Sequence, residues 1–341
     1  MATDSTVLHC SNDQCRVSET GKCIEGLPLD SCPHLHRSEA ASDAAASLLS
    51  NKTTSLPEPL QLPSGARLSA EDASAVLRAG EARVLAIIAP ADAGKTSLIA
   101  SLFGLFQNGP VGEFHFAGSR TLYAFEQACH HARAASGRAK PDTLRTPIGP
   151  VKFYHLGVGT APPSPVLDLL LADRSGEAYR SAADDPSVAG EFVEVHRADS
   201  ITVLLDGERL LDVGARHNLR SEIEMMLQGL IDGDAIGKCQ RIALVLTKLD
   251  LIQTSPDLDR QRTENDFCMM VSSVRNVVGH MVSGIVPFRV AASPATDVLP
   301  RGHGVADLLK FWTAPSTSIA RPASNSAKSS RAMARLTTII E

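Results

Sequence analysis

Long apolar stretches are missing from this sequence of 341 residues. No run approaches the roughly 20 consecutive apolar residues that a membrane-spanning helix requires. The N-terminus, MATDSTVLHCSNDQC, also lacks the basic region followed by an apolar stretch that is typical of a secretory signal. We therefore expect no membrane span and a cytoplasmic protein.

An excess of positive charge is also missing. The 33 basic and 38 acidic residues give a net charge of −5 at pH 7, which argues against a surface that binds nucleic acid. No internal repeat recurs at a solenoid period. With 43% hydrophobic residues, the composition indicates a globular chain with one large domain or two small ones.

Cysteines are scarce outside the N-terminus, because four of the seven lie within the first 32 residues. In a reducing compartment, such a cluster is more typical of metal ligands than of disulfides. We predict that residues 1–37 form a small module around one tetrahedral structural Zn²⁺, which stabilises it for contact with a partner protein. A redox or thiol cluster, or no special role, are the alternatives. The predicted ligands are Cys10, Cys15, Cys23 and Cys32, with His9, His34 and His36 as substitutes.

Two segments lack the pattern of a folded core. Residues 38–66 are rich in Ala, Ser and Pro and are predicted to form a linker, with a short helix around residues 40–49. Residues 316–341 are rich in Ser, Ala and Arg, and from residue 321 onwards four basic residues and one acidic residue give a net charge of +3. We predict a disordered basic tail, with a short amphipathic docking helix as the alternative.

Residues 67–315 alternate between strand and helix patterns. Short apolar runs are typical of strands that are buried on both faces of a parallel sheet. Ser69 is predicted to cap a helix that ends before Gly80. The alternation predicts an α/β fold with a mainly parallel sheet and helices on both faces. The predicted strands are 84–88, 151–158 (nearer an edge), 166–171, 201–205, 242–246 and 285–290. Two predicted helix faces contain Ile223, Met226, Leu227 and Leu230, and Phe267, Val271, Val274 and Val278.

The run APADAGKT, Ala89–Thr96, is here named the phosphate loop, because it joins an apolar strand to a helical pattern. In that context, backbone N–H groups and a helix N-terminus bind phosphates. Lys95 is predicted to reach the β- and γ-phosphates, and the Thr96 hydroxyl to bind Mg²⁺. Ala89 stands where the phosphate-loop pattern usually begins with Gly. The alternative interpretation is that GKT occurs by chance at the start of a helix and binds no phosphate. The predicted phosphate contacts are Ala91, Asp92, Ala93, Gly94, Lys95, Thr96 and Ser97.

A second apolar strand ends in DRSGE, residues 173–177, which resembles the Asp-x-x-Gly switch II motif of GTPases. The resemblance implies that Asp173 holds Mg²⁺ through a water and that the Gly176 N–H contacts the γ-phosphate. Glu177 stands where many GTPases have the glutamine that orients the attacking water, and this substitution favours slow hydrolysis. Glu177 is predicted to act as a base, or else to be a solvated loop residue.

A threonine that binds the metal is expected between the first helix and the strand at residue 151. Thr146 is the first candidate because it lies nearest that strand, and Thr143 and Thr121 follow it. Arg145 is a candidate arginine finger supplied in cis, with an ordinary surface arginine as the alternative.

A third strand ends in TKLD, residues 247–250, which resembles the guanine-specificity motif of GTPases, usually Asn-Lys-x-Asp. The Asp250 carboxylate would accept hydrogen bonds from N1–H and N2–H of guanine, a pair that adenine cannot offer. The Lys248 stem would cover the base, and Thr247 takes the place of the usual Asn. A charged turn is the alternative. After the last strand, Ala292 or Ser293 is expected to approach the guanine carbonyl oxygen.

The order of these motifs over residues 84–293 resembles the translation-factor-related class of P-loop GTPases. Three strings are similar to bacterial double-GTPase domains of conflict systems: FAGSRTL at 116–122, LLLADRSGE at 169–177 and LLDGERL at 204–210. The resemblance implies a GTP- and GDP-binding switch that uses Mg²⁺, hydrolyses the β–γ phosphoanhydride slowly, and acts with a second GTPase or an effector. A pseudo-GTPase scaffold and a mechanochemical ATPase are the alternatives.

Overall fold

The computed structural model describes residues 7–11, 15, 17–23, 28–32, 34–38, 64–132, 146, 149–160, 165–237 and 240–315. The chain divides into two compact units, Met1–Leu62 and Pro63–Glu341. Four predictions lie outside the described residues: the linker helix at 40–49, the tail at 316–341, Thr143 and Arg145. Within the described ranges, no helix combines the length and the hydrophobicity that a bilayer crossing requires.

The first unit contains a small antiparallel sheet. Strand β1 (Val7–Cys10) pairs with β2 (Leu35–Ser38). Between them in sequence lie helix α1 (Val17–Thr20) and a 3-10 turn at Leu29–Ser31. Val17 is buried, so this short helix packs within the unit rather than standing in solvent.

The N-terminal cysteines do not converge on the predicted zinc site. All four are partly buried, but no group of three or more His, Cys, Asp or Glu side chains in the described part of the chain is placed to hold a metal ion. The strand pairing sets Cys10 opposite Leu35, which is not a ligand. The prediction of Zn²⁺ on Cys10, Cys15, Cys23 and Cys32 is therefore not supported.

The second unit is built on a seven-stranded sheet in the order β4–β5–β6–β3–β7–β8–β9. Strands β6, β3, β7, β8 and β9 run parallel, whereas β5 is antiparallel to both of its neighbours. The apolar runs at 84–88, 166–171, 201–205 and 242–246 form buried central strands, as predicted, whereas the run at 285–290 forms an edge strand that is only partly buried. The strands are β3 (Ala82–Ile88), β4 (His115–Gly118), β5 (Lys152–Gly159), β6 (Leu167–Asp173), β7 (Ser200–Asp206), β8 (Arg241–Thr247) and β9 (Gly284–Arg289).

Helices cover both faces of this sheet, which confirms the predicted α/β fold. The core on one face contains side chains of α3, α4 and α11, and the core on the other face contains side chains of α5, α8 and α10. The two predicted helix faces, on α8 and α10, are buried. The helices are α2 (Ala70–Ala79), α3 (Lys95–Asn108), α4 (Leu122–Ala132), α5 (Gly176–Asp184), α6 (Val193–His196), α7 (Gly207–Leu211), α8 (Arg216–Asp232), α9 (Leu249–Thr254), α10 (Asp257–Val278) and α11 (Val305–Thr313), with a 3-10 helix at Pro186–Glu191.

Helix α2 begins at the predicted cap. The Ser69 hydroxyl accepts the Asp72 N–H, and the Asp72 carboxylate accepts the Ser69 N–H, which together form a capping box. The helix ends at Ala79, and Gly80 follows as its C-cap. Helix α2 packs through Ala73 and Val76 against a third apolar cluster.

Strand β4 is absent from the predicted strands, because its residues are mostly exposed and carry no apolar pattern. It forms one edge of the sheet and places β5 second from that edge, close to where the sequence predicted 151–158. The antiparallel direction of β5 was not predicted. Direction depends on the connection between strands, which the local pattern does not encode.

Candidate functional site

The carboxyl ends of four neighbouring parallel strands, β6, β3, β7 and β8, meet at one edge of the sheet. Three of them end in a predicted site segment, namely Asp173, the phosphate loop and Thr247, and β7 ends in Asp206. In open α/β sheets, ligands bind at this edge. Neighbouring strands therefore bring together motifs that are far apart in sequence.

The phosphate loop turns directly from β3 into α3. Gly94 is the N-cap of α3 in the left-handed region, with φ of 87°, a conformation that glycine adopts without a Cβ clash. Asp92 is also left-handed, with φ of 62°. Helix α3 starts at Lys95, and the N–H groups of a first turn have no partner within their own helix. This end of α3 is therefore suited to an anion.

Thr247 links the segment TKLD, residues 247–250, to the phosphate loop. Its buried hydroxyl lies 3.0 Å from the carbonyl oxygen of Ala93 and 3.1 Å from that of Leu205. A Cβ added at Gly94 would lie 3.9 Å from Thr247 Cβ. The ends of β8 and β7 are thus linked to the loop by the threonine that stands where the resembled motif usually has asparagine.

A buried carboxylate, Asp173, lies at the centre of the site. Its Oδ1 is 3.0 Å from Lys95 Nζ and accepts a 3.0 Å hydrogen bond from the Thr146 hydroxyl. Its Oδ2 is paired with the guanidinium of Arg67. Burial by itself raises the pKa of Asp173, but Lys95 and Arg67 outweigh burial and hold this pKa below its ordinary value. Burial lowers the pKa of Lys95, and Asp173 opposes that effect.

The oxygen atoms around Asp173 fit a magnesium site. The Asp173 carboxylate and the Thr146 hydroxyl already lie within 3.0 Å of each other, and Thr96 lies in the first turn of α3, next to Lys95. Carboxylate and hydroxyl oxygens are the hard ligands that Mg²⁺ prefers. Thr121, the third candidate, is held elsewhere, because its hydroxyl bonds to the backbone of His155. The contact with Asp173 favours Thr146.

Arg174 anchors the segment that follows Asp173. Its Nε donates to Glu194 Oε1 at 2.5 Å and its Nη2 to Oε2 at 3.1 Å. Tyr179 donates to the same carboxylate at 3.0 Å, and the guanidinium lies 4.6 Å from the centre of the Phe192 ring. Burial lowers the pKa of Arg174, but Glu194 outweighs it and raises that pKa. The Arg174 carbonyl oxygen in turn accepts a hydrogen bond from Lys95.

Gly176 packs directly on the phosphate loop. A Cβ at this position would overlap the carbonyl oxygen of Ala89 and lie 2.9 Å from the carbonyl carbon of Pro90. Only glycine therefore brings the start of α5 this close to the loop. Glu177 is exposed in the first turn of α5, and its N–H donates to the Ser175 hydroxyl at 3.3 Å.

Two carboxylates hold the ammonium group of Lys248. Asp206 Oδ2 lies 2.9 Å and Glu208 Oε2 2.8 Å from Lys248 Nζ. Burial by itself lowers the pKa of Lys248, but the two carboxylates outweigh it and raise this pKa above its ordinary value. Asp206 Oδ1 also caps α7 by accepting the Glu208 N–H at 2.9 Å. A Cβ at Gly207 would overlap the carbonyl oxygen of Thr247, so the string LLDGERL folds tightly around Lys248.

Asp250 is buried beside the loop that follows β9. Its Oδ2 accepts the Ala295 N–H at 2.8 Å. Ala292 is partly buried and Ser293 is exposed in the same loop. The structure thus brings this loop to Asp250 through Ala295, which the sequence did not single out, and the expected contact of Ala292 or Ser293 with the base stays a prediction.

The string FAGSRTL contacts a buried histidine, His155. The Ser119 hydroxyl donates to the His155 carbonyl oxygen at 2.6 Å, and the Arg120 N–H donates to His155 Nδ1 at 3.0 Å. The other ring nitrogen lies 3.1 Å from Asp168 Oδ1. Burial lowers the pKa of His155, and Asp168 opposes that effect.

Arg67 and Asp206 are two of the site residues for which the sequence predicted no role. Asp206 belongs to the string LLDGERL, and its position at the end of an apolar strand is a signal in the sequence. Arg67 lies at the boundary of the predicted linker and gives no signal in sequence, because its partner Asp173 is 106 residues away.

A family model described as Double-GTPase 2 matches residues 83–313, which is more than half of the chain. The matched residues run from β3 to α11 and so include every strand end at the site. No curated protein matches the chain.

The solved structures that are similar to this chain include three nucleotide-bound proteins. The signal recognition particle receptor SRb-GTP/SRX complex from Chaetomium thermophilum has 15% identity and a TM-score of 0.37, with 68% of this chain and 96% of that chain covered. The S. cerevisiae Ski7 GTPase-like domain bound to GTP has 14% identity and a TM-score of 0.34, with 64% and 44% covered. Roco2 RocCORdC from Methanosarcina barkeri bound to GDP has 14% identity and a TM-score of 0.30, with 68% and 49% covered. This chain spans less than half of the last two.

Proposed function

The chain belongs to the Double-GTPase 2 family, and from this premise we propose that it is a GTP-binding switch that hydrolyses the β–γ phosphoanhydride slowly and depends on Mg²⁺. One observation carries the proposal. Lys95, Thr146 and Asp173 come from three separate segments. Lys95 Nζ and the Thr146 hydroxyl oxygen each lie 3.0 Å from Asp173 Oδ1. A phosphate-binding lysine and two metal-binding oxygens are what a Mg²⁺–nucleotide site requires.

On the phosphate side of the site, nucleotide binding replaces contacts within the protein by contacts with the phosphates. Residues 91–94 and the first turn of α3 present backbone N–H groups to the phosphates, with Ser97 near the α-phosphate. Lys95 leaves the Asp173 carboxylate and the Arg174 carbonyl oxygen and moves to the β- and γ-phosphates. Thr96, Thr146 and Asp173 would hold Mg²⁺, which would neutralise charge on the phosphate oxygens. The Gly176 N–H contacts the γ-phosphate, and its packing on the phosphate loop supports this role.

The base side of the site selects guanine. Asp250 accepts hydrogen bonds from the two guanine N–H groups, and its burial makes an unpaired base donor or acceptor costly. The Lys248 stem covers the base plane while Asp206 and Glu208 hold its ammonium group.

We propose that bound GTP is hydrolysed slowly. Glu177 is exposed at the start of α5 and replaces the glutamine that positions water in many GTPases. The same observation supports the second candidate, a pseudo-GTPase scaffold that holds GTP and binds partners. In either case, we propose a protein partner, either a second GTPase or an effector in a bacterial conflict system.

A binding titration tests the guanine assignment. Labelled GTP and labelled ATP are each titrated into the purified chain with Mg²⁺ present. We expect GTP to bind and ATP to bind far more weakly, and we expect Asp250→Ala to remove that preference. Equal affinities for the two bases, or an unchanged preference in Asp250→Ala, would contradict the proposal.

Single-turnover hydrolysis distinguishes the enzyme from the scaffold. The chain is loaded with GTP, and phosphate release is followed in wild type and in Lys95→Ala. Slow release that disappears in Lys95→Ala is the result for a GTPase, because this lysine stabilises the transferred phosphoryl group. Phosphate release at the rate of uncatalysed GTP hydrolysis in both wild type and Lys95→Ala would identify the pseudo-GTPase scaffold.

A further inference from the structure

The backbone on both sides of Arg67 is fixed to the second unit. The Gly65 carbonyl oxygen accepts the Ala124 N–H at 2.9 Å, and Leu68 exchanges two backbone hydrogen bonds of 2.9 Å with Phe153. Gly65 has a φ of 72°, and a Cβ there would lie 2.9 Å from Tyr123 Cβ. Arg67 is therefore presented from a backbone that is held in place, and its side chain is 32% exposed.

The two oxygen atoms of the Asp173 carboxylate have different partners. Oδ2 binds the Arg67 guanidinium. Oδ1 faces Lys95 Nζ and the Thr146 hydroxyl, each at 3.0 Å. Only Oδ1 therefore lies among the residues of the phosphate and metal site, and Arg67 keeps the carboxylate turned in that orientation.

We propose that Arg67 is a positioning residue of the magnesium site, which holds Oδ2 of Asp173 so that Oδ1 faces the cation. This inference rests on the proposed function. It adds to the site a residue that lies ahead of the family match, which starts at residue 83.

The direction of the effect follows from charge balance. Without Arg67, Lys95 is the cation that stays paired with the buried Asp173 carboxylate among the described residues, so the two bind each other more tightly. Mg²⁺ and the phosphates both have to break that pair. Loss of the Arg67 charge also reduces the electrostatic repulsion of Mg²⁺. This gain is the smaller effect, because Arg67 binds Oδ2 of Asp173, whereas Lys95 binds Oδ1, the oxygen that faces the metal site. We therefore expect nucleotide binding to require a higher Mg²⁺ concentration when Arg67 is removed.

The test measures the Mg²⁺ requirement of nucleotide binding, not turnover. Fluorescent GDP is bound to the full chain, and Mg²⁺ is varied to find the concentration that gives half-maximal retention. Arg67→Ala is expected to raise this concentration by about tenfold or more, the usual effect of removing a residue that orients a metal ligand. Arg67→Lys keeps the charge and is expected to fall between wild type and Arg67→Ala. If Arg67→Ala does not fold, Arg67→Gln replaces it, with the same expected direction.

Arg262→Ala is the matched control, because Arg262 is 30% exposed and paired with a carboxylate, Asp259, on α10. It is expected to leave the Mg²⁺ requirement unchanged. An unchanged or lowered requirement in the neutral Arg67 variants would overturn the role of Arg67 while the proposed function stands. A wild-type chain that shows no Mg²⁺-dependent nucleotide binding would overturn the proposed function and the role of Arg67 together.

Discussion

Asp173 is only 3% exposed, yet side chains from residues 67, 95 and 146 all reach its carboxylate. A buried charge of this kind is stable only when its partners are present. The residue thus serves the folded state and the proposed magnesium site at once. Its partners come from separate segments, so one substitution here affects several parts of the chain.

Asp173→Asn tests that dependence. The change keeps the shape of the side chain but leaves buried Lys95 without its carboxylate, and breaking a buried pair costs about 3–5 kcal/mol. We expect the free energy of unfolding to fall by about that amount in urea titrations without nucleotide. The control is Asp257→Asn, whose carboxylate is 83% exposed and pairs with Arg260, and which should change stability by about 0.5 kcal/mol or less. Equal effects of the two substitutions would contradict the prediction.

Asp206 and Glu208 offer a matched pair of substitutions at Lys248. Both reach Lys248 Nζ, but the Asp206 side chain is 3% exposed and the Glu208 side chain is 64% exposed. We expect Asp206→Asn to weaken GDP binding about tenfold, since a hydrogen bond to a charged group contributes about 1.5–3 kcal/mol. Glu208→Gln should weaken it by about threefold or less because water screens an exposed pair. Equilibrium titration with fluorescent GDP measures both, and a larger loss in Glu208→Gln would reverse the assignment.

His155 makes stability depend on pH. Burial lowers its pKa below the ordinary 6.5, and its Nδ1 must be unprotonated to accept the Arg120 N–H. The unfolded chain therefore binds the proton first, and the free energy of unfolding contributed by His155 falls as pH drops below 6.5. His155→Asn removes the titrating group and should flatten this slope between about pH 7 and pH 5. The check is urea unfolding at several pH values, and parallel slopes for both chains would exclude His155 as the source.

At the scale of elements, contact between the start of α5 and the phosphate loop couples the two proposed phosphate-binding segments. Gly176 leaves no room for a side chain against Ala89 and Pro90. The Arg174–Glu194 pair then fixes the residues between β6 and α5 to α6. If residues 174–176 move when the γ-phosphate is lost, their packing against the phosphate loop and α6 has to separate. Packed surfaces of this kind favour two discrete conformations over a continuous range of positions.

Gly176→Ala is expected to push α5 away from the loop. The added Cβ would overlap the Ala89 carbonyl oxygen, and such overpacking costs about 1–3 kcal/mol. We expect a lower free energy of unfolding in urea, and in titrations with both nucleotides a larger loss of affinity for GTP than for GDP, which lacks the γ-phosphate. Gly190→Ala is the control, because a Cβ there meets nothing within 4 Å. Equal losses of affinity for GTP and GDP in Gly176→Ala would show that the glycine does not contact the γ-phosphate.

At the scale of the whole molecule, the second unit contains the residues of the site and begins at Pro63, ahead of the predicted boundary at residue 67. The segment before α2 contributes Arg67 to Asp173 and Leu68 to a bridge with Phe153. Family membership confirms the resemblance to double-GTPase domains that the motifs suggested.

Two shortened chains test where this unit begins. A chain that starts at Pro63 keeps Arg67 and the two Leu68–Phe153 hydrogen bonds and is expected to unfold cooperatively and bind GTP. A chain that starts at Ser69 lacks them and should lose about 2 kcal/mol or more of unfolding free energy, since each hydrogen bond contributes about 1 kcal/mol. Thermal or urea unfolding of both chains gives the answer. Equal stability would show that residues 63–68 contribute nothing to the unit.

The sequence by itself determined the fold class and the order of motifs. A phosphate loop is one contiguous strand–loop–helix, and a buried parallel strand is a short apolar run, so both are encoded locally. The capping of α2 by Ser69 is local in the same way. The spacing of the N-terminal cysteines is also local, but whether four side chains converge depends on how the intervening chain folds, and there the zinc prediction failed to find support.

Only the tertiary structure decided which distant residues touch. Arg67 meets Asp173, Asp206 meets Lys248, and the Ala295 N–H meets Asp250. The last two pairs follow from which strand ends are neighbours in the order β6–β3–β7–β8–β9, and the first follows from the docking of residues 64–68 on β5. Sheet order and docking are properties of the whole packed core, so no local pattern around any one of these residues contains them.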